Sequence, residues 1–425
     1  MPCKEVFLIS KNPKEQNVKL SYLSFSAALM ILALQSNPDV TAASDWPQLR
    51  GPNRNGTACH TADIHESSRL EIDWMRALGV GGYSSVVVAD GRACTTFSDG
   101  KNDYAIALDA ATGKERWRFR LDRAFPGRNG ADTGPLSTPA IADGNVYALS
   151  PYGSFYAIRL SDGKQVWSLN IEDAFGGRRP EFGFTSSPLV ADGTLFLQVG
   201  GRHKNTLVAL DVASGEMRWS RYVDWVEYSS PALLSLDGVS QVVVRTNSHV
   251  FAVAPETGAM LWDRKLALGQ QTHPTPFALS GNEVFVAGFD GSVLLRVKRR
   301  QGTKMAVEEV WKSRDLRGNF SEPVLFDGHI YGYSGVFLTC VDAQTGKKVW
   351  KSRQPGDGSL ILINEHLLVL DSGGTLHLAN ATPEGYREQT SLRIFSGRSV
   401  TPPSFAQGSI FVRSLNGIAR VSIAD

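Results

Sequence analysis

Residues 107–117 read Ala-Leu-Asp-Ala-Ala-Thr-Gly-Lys-Glu-Arg-Trp. Segments of the same length and related pattern, each closed by Trp, return at 209–219, 252–262 and 340–350. Two further closing Trp residues stand at 167 and 311, so that successive Trp residues are 50, 52, 43, 49 and 39 residues apart. A repeat of about this length is typical of a propeller in which each unit forms one blade of four strands.

Each repeat unit combines a short strand start with two kinds of turn. Asp-Gly pairs at 90–91, 143–144, 192–193 and 327–328 predict tight hairpins, because Gly readily takes a positive φ. In the pattern that ends in Trp, the Asp carboxylate can cap the turn and Gly can take its left-handed position. The Trp then offers a large apolar face to the neighbouring blade, with an N–H that needs a partner. The eight units begin at Ser84, Ser137, Ser186, Ser229, Thr275, Ser321, Ser359 and Thr401.

The eighth unit is divided between the two ends of the chain. Residues 401–425 contain only inner strands, whereas residues 71–78 match 114–121, with Trp74 in the place of Trp117. Pairing the two parts would remove two free sheet edges. In the seventh unit, Phe395 is the predicted replacement for the Trp. We therefore predict an all-β fold, an eight-bladed β-propeller of four-stranded antiparallel blades over residues 72–425, with the ring closed by an N-terminal outer strand on the last blade.

Residues 1–43 have the features of a signal peptide. Four Lys residues precede the apolar stretch Leu20–Leu34, and Thr41-Ala42-Ala43 offers a cleavage site between small residues. The apolar stretch is shorter than the roughly 18 residues expected of a transmembrane helix, although an uncleaved membrane anchor is the alternative. We predict export to the periplasm or another extracytoplasmic space, no transmembrane span in the mature form, and a lead-in segment at 44–71. Cleavage would leave Cys59, Cys94 and Cys340, without the spacing of a haem-attachment motif.

The charge balance does not indicate a nucleic-acid partner. The formal net charge is +2, and residues 1–43 contain four Lys against three acidic residues, so the mature chain is close to neutral. Nucleic-acid binders usually carry a strongly basic surface. The densest basic run, Arg296–Arg300, is interpreted as a solvated turn.

In these repeats the chain resembles the propellers of the pyrroloquinoline quinone (PQQ) repeat family. The tryptophan-docking motif of that family, Ala-x-Asp-x-x-Thr/Ser-Gly-Lys-x-x-Trp, is met in full by residues 107–117, while Glu216 replaces Lys and Cys340 replaces Ala in other copies. Residues 45–56, Asp-Trp-Pro-Gln-Leu-Arg-Gly-Pro-Asn-Arg-Asn-Gly, are similar to the lead-in of exported members. This similarity predicts a rigid, extended segment laid against the propeller, with a flexible leader as the alternative.

The resemblance implies one of two functions, because a fold does not by itself determine a function. One branch of the family comprises quinoprotein dehydrogenases, which hold PQQ and Ca²⁺ at the axis and oxidise alcohols or sugars. Another branch includes the BamB lipoprotein of the outer-membrane barrel-assembly machinery, which binds protein partners without a cofactor. The dehydrogenases have an adjacent pair of cysteines beside PQQ, which this sequence lacks. We therefore favour a non-catalytic binding or scaffolding module with a protein partner and no cofactor, and keep a PQQ- and calcium-dependent dehydrogenase as the alternative.

Two groups of residues are candidate binding sites, and no residue is assigned a catalytic role. Members of the first group precede the inner strands and should ring the axis. Its carboxylate and amide oxygens at 227, 319 and 322 are weak candidates for a Ca²⁺ site. The second group lies on the long loops 122–136 and 172–185, where Arg and aromatic residues suit protein recognition, unless these loops only pack on each other. The first group is Tyr83, Phe184, Glu227, Tyr228, His273, Asn319, Glu322 and Arg398, and the second includes Arg128, Arg178 and Arg179.

Overall fold

The structure, a computed structural model, describes residues 45–60, 64–127, 133–200, 205–221, 223–226, 228–269, 274–300, 304–318 and 320–424. Its elements up to residue 221 are, in chain order, β1 (Thr57–Ala58), β2 (Arg69–Ala77), β3 (Val87–Ala89), β4 (Arg92–Ser98), β5 (Asn102–Asp109), β6 (Glu115–Arg123), β7 (Ala140–Ala142), β8 (Asn145–Leu149), β9 (Ser154–Arg159), β10 (Gln165–Asn170), α1 (Ile171–Phe175), β11 (Leu189–Ala191), β12 (Thr194–Gln198), β13 (Leu207–Asp211) and β14 (Met217–Arg221). The later elements are β15 (Ala232–Leu236), β16 (Val239–Arg245), β17 (His249–Val253), β18 (Met260–Lys265), β19 (Phe277–Ser280), β20 (Glu283–Gly288), β21 (Gly291–Arg299), β22 (Met305–Ser313), β23 (Val324–Phe326), β24 (His329–Ser334), β25 (Phe337–Asp342), β26 (Lys348–Ser352), β27 (Gly358–Ile363), β28 (His366–Asp371), β29 (Thr375–Asn380), β30 (Arg387–Arg393), β31 (Ser404–Ala406), β32 (Ser409–Arg413) and β33 (Gly417–Ala424).

The strands form eight sheets, one for each predicted blade. Blades one to seven each use four consecutive antiparallel strands, from β3–β6 in blade one to β27–β30 in blade seven. The first strand of each blade is innermost, since neighbouring first strands such as β3 and β7, or β11 and β15, contact one another. Apolar side chains pack between adjacent blades in several separate clusters instead of around one centre. The predicted eight-bladed β-propeller is confirmed.

Blade eight is shared between the two ends of the chain, as predicted. Its sheet has the order β2-β33-β32-β31. Strand β2 pairs antiparallel with β33, in a register that runs from Arg69 opposite Ala424 to Ala77 opposite Gly417. The strand therefore begins three residues before the predicted start of the propeller at residue 72. This pairing covers the outer edge of β33, which would otherwise be free to pair with another chain.

In six of the blades a Trp donates a hydrogen bond to the next blade. Nε1 of Trp117 donates to the carbonyl of Leu160 at 2.7 Å, and the indole ring lies on Gly163 of blade two, where an added Cβ would come within 2.7 Å of the ring. Gly163 also has a φ of 74°, so its position excludes a side chain for two reasons. Trp262 differs, because it donates to Gln241 in its own blade. Hydrogen bonds from the indole Nε1 to a carbonyl of the next blade also join Trp74 to Ala110, Trp167 to Val212, Trp219 to Pro255, Trp311 to Ala343 and Trp350 to Thr382.

The prediction that Phe395 replaces the Trp of the seventh unit is wrong. In blade six, Trp350 of β26 lies opposite Cys340. The same position in blade seven, just before the bulge in the ladder of β29 and β30, is held by Thr390 opposite Leu378. Phe395 lies two residues beyond the end of β30 and is buried there.

The interpretation of the basic run as a solvated turn is wrong as far as residue 299, because these residues belong to strand β21. Arg296 pairs with Glu283 at 2.8 Å and with Glu308 at 3.2 Å. Arg299 donates to the carbonyl of Asp237 in blade four at 3.1 Å. These contacts neutralise part of the basic run and attach blade five to blade four.

The direction of the inner strands defines two faces of the ring. Each inner strand begins where a loop arrives from the preceding blade, and this end of the ring is called the loop face. Each ends at a tight turn to the second strand, and this opposite end is called the hairpin face. The residues Asp90, Asp143, Asp192 and Asp327 take positive φ values in these turns, as the Asp-Gly pairs predict. Among the described residues no helix is both long and apolar enough to span a membrane, and the predicted signal peptide lies outside them.

Candidate functional site: the axial channel and the loop face

Residues 45–58 of the lead-in segment lie inside the ring. Trp46 is 2% exposed, and the side chains of Arg50 and Arg54 are buried. Contact with the propeller is confirmed, but the segment is not extended, because residues 49–54 form successive turns. Arg50 and Arg54 have φ values of 65° and 51°, and the N–H of Gly56 bonds to the carbonyl of Arg50 at 3.0 Å. The segment is therefore a compact loop that presents two arginines.

This loop contacts all eight blades. Because the inner strands of the blades surround the axis, a segment that reaches every one of them must occupy the axial channel. Its two ends lie near the hairpin face, where Asp45 meets Gln407 and Ala58 meets Asn364. The contacts in blade order join Trp46 to Val88, Pro47 to Ile141, Arg54 to Pro188 and Pro231, Arg50 to Phe277 and Glu322, Gly56 to Leu362, and Asp45 to Gln407.

Arg50 is held by one carboxylate and several carbonyls. Its Nη1 lies 2.8 Å from Oε2 of Glu322, and Nη2 donates to the carbonyls of Asn55 and Pro323, both at 2.9 Å. Nε donates to the carbonyl of Arg54 at 2.9 Å, and the guanidinium lies 5.0 Å from the ring centre of Phe277. Burial lowers the pKa of Arg50 while Glu322 raises it, and an arginine in a protein stays protonated. The channel therefore contains a buried, paired positive charge.

Arg54 is bound by acceptors without a formal charge. Its Nη1 donates to the carbonyl of Pro231 at 2.6 Å, and Nη2 donates to the carbonyl of Pro188. Nε donates to Oε1 of Gln48 at 3.0 Å. Burial lowers the pKa of Arg54, an effect that the charge of Glu322 opposes. Because both proline carbonyls come from residues directly before inner strands, the guanidinium spans blades three and four at the loop-face end of the channel.

Glu322 occupies a position that is Ser or Thr in other blades. The backbone N–H of Thr138 bonds to Oγ of Ser187, and the N–H of Ser187 bonds to Oγ of Ser230, so that each blade accepts from the one before. In the same way the N–H of Thr275 bonds to Oε2 of Glu322 at 2.8 Å, and Oγ1 of Thr275 donates to Oε1 at 2.9 Å. The extra length of Glu322 lets the carboxylate also reach Arg50.

The described residues do not fit a PQQ and Ca²⁺ site at this point of the axis. Both oxygens of Glu322 accept from Arg50 or Thr275, and Ca²⁺ normally takes six to eight oxygen ligands. The other two weak calcium candidates, Glu227 and Asn319, lie outside the described residues. Within the described ranges no three His, Cys, Asp or Glu side chains are grouped as metal ligands would be.

The other axial candidates that the structure describes lie at the loop face. Phe184 and Tyr228 are buried. The ring of Tyr228 meets that of Phe182 edge-on at 5.8 Å. Arg398 is exposed, with its guanidinium 6.0 Å from the ring centre of Tyr83. His273 and Arg128 lie outside the described residues.

The two long loops of the second candidate group meet on Tyr152 of blade two. The guanidinium groups of Arg123 and Arg179 lie 4.7 and 5.1 Å from its ring centre, and Phe125 packs edge-on at 5.3 Å. This geometry agrees with the alternative that the loops pack on each other. Arg178 and Arg179 are nevertheless exposed. Arg178 lies 5.2 Å from the ring of Trp225 in the loop to blade four.

Sequence reasoning missed a group of exposed apolar residues on the loop face of blades five and six. Phe289, Phe320 and Val336, called the apolar patch below, are 63%, 72% and 55% exposed. They lie in three neighbouring segments, the β20–β21 turn, the loop from β22 to β23 and the β24–β25 turn. The N–H of Gly318 bonds to the carbonyl of Gly288 at 2.8 Å, and the N–H of Arg317 bonds to Oγ of Ser334 at 3.3 Å. A Phe directly before the Asp290-Gly291 turn was the available signal, because turns of this kind usually carry polar residues.

A cavity of about 390 Å³ remains between the lead-in segment and blades three to five. Asn53, Asn55 and Arg54 line one side of it. Leu189, Leu234 and other residues of the inner strands line the opposite side. Gln48 and Ser235 are further polar residues of its lining.

The fold and the Trp contacts between blades define a propeller of PQQ-type repeats. The protein family described as outer membrane protein assembly factor BamB has a model that matches residues 71–170 and 101–352, and the chain belongs to this family.

Individual relatives agree with this assignment. A protein of Yersinia pestis named outer membrane protein assembly factor BamB is 24% identical over 356 residues, which cover 80% of this chain and 84% of the relative. The crystal structure of BamB from Moraxella catarrhalis has a TM-score of 0.61 at 15% identity and covers 83% of this chain and 99% of that one. The quinohemoprotein alcohol dehydrogenase of Comamonas testosteroni also has a TM-score of 0.61, at 13% identity, over 89% of this chain and 80% of that one. The two structural similarities therefore support the fold and do not distinguish between the two functions.

Proposed function

We propose that this protein is an exported, non-catalytic binding module that acts as an assembly factor for outer-membrane proteins, as the name of its Yersinia pestis relative describes. The observation that carries the proposal is the occupied axis. Arg50 and Arg54 fill the loop-face end of the channel, and Glu322 is committed to Arg50. PQQ and Ca²⁺ at this point of the axis would need that space, and Ca²⁺ would need six to eight oxygen ligands.

The loop face offers the surface for a protein partner. The apolar patch places Phe320 on the loop from β22 to β23, with Phe289 and Val336 on two neighbouring turns. Exposed apolar patches often mark interaction sites. Arg314 and Arg317 on that loop are exposed. Neither lies within ion-pair distance of a carboxylate among the described residues. The surface therefore suits a protein segment that has apolar side chains flanked by Asp or Glu.

A second copy of the chain fits this surface less well. In a two-fold symmetric dimer the same patch would face itself. Such a contact would bring the arginines of both copies together, and like charges at an interface oppose association. A different protein with acidic residues avoids this repulsion.

Site-specific photo-crosslinking tests the partner. A photoreactive side chain at position 320 should give an adduct with a protein of the outer-membrane assembly machinery in the cell envelope of the host. The same group at position 166, on an exposed outer strand, is the matched control and should give none. Arg314→Glu with Arg317→Glu should remove the adduct while the protein stays folded. A self-adduct, or equal adducts at both positions, would exclude the proposed partner surface.

Cofactor binding tests the alternative function. The absorption spectrum of PQQ, recorded with Ca²⁺ during titration with the protein, should show no saturable change. Dye-linked oxidation of alcohols and aldose sugars should stay at the background rate. A saturable spectral change that Glu322→Gln abolishes would establish the dehydrogenase and reject the non-catalytic proposal.

A further inference from the structure

We infer that the axial channel is a peptide-binding site for an arginine-bearing turn, which the protein fills with its own residues 45–58. This inference goes beyond the proposed function and does not depend on it. The lead-in segment is the bound ligand, and the ring of blades is its receptor.

The ring is complete without the segment. Each of the eight blades has four strands that do not include residues 45–58. Strand β1 only adds a fifth, parallel strand to the inner edge of blade seven, with Thr57 opposite Leu362. Trp46 adds a single bridge to Val88 in blade one. The segment thus uses backbone groups at inner edges, which is how added peptide strands bind sheets.

The repeat supplies the receptor groups for the guanidinium ions. The Pro of a Ser/Thr-Pro step stands at the axis, where a loop ends and an inner strand begins. The carbonyls of two of these prolines, Pro188 and Pro231, accept hydrogen bonds from Arg54. The carbonyl of Pro323 accepts from Arg50 in the same way. Several carbonyls that converge from different blades create a negative potential, which favours a cation with many N–H donors.

One departure from the repeat pattern makes the axial channel selective for a positive charge. Glu322 stands at a Ser/Thr position and sets its carboxylate 2.8 Å from Arg50. The pair is almost fully buried, with side-chain exposures of 1% and 9%. Charge-assisted hydrogen bonds of this kind are about twice as strong as neutral ones. Lys in place of Arg would lose the forked contacts to several acceptors at once.

The test separates the segment from the ring after the intact chain has folded. A protease recognition sequence is inserted between His60 and Ile64 of the exported protein, and the purified protein is cut there. We expect the fragment that contains residues 45–60 to stay bound during gel filtration. A fluorescent synthetic peptide of residues 45–60 should then exchange with it, as measured by anisotropy.

Variant peptides measure the role of each guanidinium. Arg50→Met or Arg54→Met should weaken competition by about 10- to 100-fold, because each removes charge-assisted hydrogen bonds from a buried site. Asn53→Ser is the matched control, since Asn53 is exposed, and should compete like the natural sequence. Glu322→Gln in the ring should weaken binding of the natural peptide and reduce the effect of Arg50→Met.

Two results would overturn the inference. Loss of the fragment directly after cleavage, with or without unfolding of the ring, would show that no separate binding site exists. Equal competition by the natural, Arg50→Met and Arg54→Met peptides would show that the channel does not recognise guanidinium groups. Neither result would affect the proposed assembly function, which is tested at the loop face.

Discussion

Replacing Glu322 by Gln tests whether its carboxylate serves mainly to hold Arg50. The two side chains are 2.8 Å apart and buried, so water cannot readily replace the lost charge. Breaking a buried ion pair by removing one partner typically costs 3–5 kcal/mol. Thr275 donates to both oxygens of Glu322, and the single carbonyl oxygen of Gln can keep one of these two bonds. We therefore expect the free energy of unfolding to fall by about 3 kcal/mol, at the lower end of that range.

Urea unfolding of four proteins measures this effect: the natural chain, Glu322→Gln, Arg50→Met and the double variant. Each single variant leaves one polar group without its partner, whereas the double variant removes the charge pair. The loss in the double variant should therefore be smaller than the sum of the single losses by about 2 kcal/mol. Glu283→Gln is the matched control, because its pair with Arg296 is partly exposed and should contribute less than about 1 kcal/mol.

The reasoning fails if Glu322→Gln unfolds within about 0.5 kcal/mol of the natural chain. It also fails if the losses of the two single variants simply add. A variant that keeps its stability but loses saturable PQQ binding would assign Glu322 to a cofactor instead of to Arg50.

Three further predictions concern the blades. Trp117→Phe keeps an aromatic side chain but leaves the carbonyl of Leu160 without its donor, so the free energy of unfolding in urea should fall by about 1–3 kcal/mol. An unchanged free energy would contradict the docking role of Trp117. Burial raises the pKa of Asp103 to about 7, partly opposed by hydrogen bonds from neighbouring groups. The folded chain therefore keeps a proton that the unfolded chain releases near pH 4, and stability should fall as pH rises from about 4 to 7. Asp103→Asn should remove this fall, so that the melting temperature of the variant gains on the natural chain between pH 5 and 8; a constant difference would refute the raised pKa. Cys94 and Cys340 are buried free thiols whose pKa values burial raises, so a thiol reagent at pH 8 should label both, by peptide mass mapping, only after unfolding, and rapid labelling of the folded protein would contradict this.

The ring could be predicted because its information is local and repeated. Each Trp position, Asp-Gly pair and Gly in the docking turn follows from neighbouring residues, and the shared eighth blade follows from the match of Trp74 to Trp117. The replacement of the Trp in the seventh unit could not be found in this way. The repeat pattern favours an aromatic residue there, but the register of the strands gives the position to Thr390.

The pairing of Arg50 with Glu322 depends on groups 272 residues apart, and no local pattern connects them. The sequence around each of these two residues is nevertheless unusual. Glu322 breaks a Ser/Thr-Pro step that other units keep, and the Arg50-Gly51 pair lies between the prolines of a segment without strand periodicity. Read separately, Glu322 is a weak candidate for a metal ligand, and the similarity of residues 45–56 to exported family members predicts an extended segment. Only the closed ring brings the two charges together on the axis.

A propeller of identical Ser/Thr-Pro units would have an axis lined by hydroxyls and carbonyls, which favour a cation but supply no carboxylate to pair with it. Two departures from the repeat change this in the present chain. Glu322 adds a single negative charge at the loop-face end, and the lead-in segment brings two guanidinium groups that meet that charge and the carbonyls of Pro188, Pro231 and Pro323. Because a buried carboxylate without a partner is costly, Glu322 and Arg50 depend on each other. The carboxylate that sequence reasoning considered for a calcium ion is thus better explained as the receptor for an internal arginine, which leaves the loop face as the surface for other molecules.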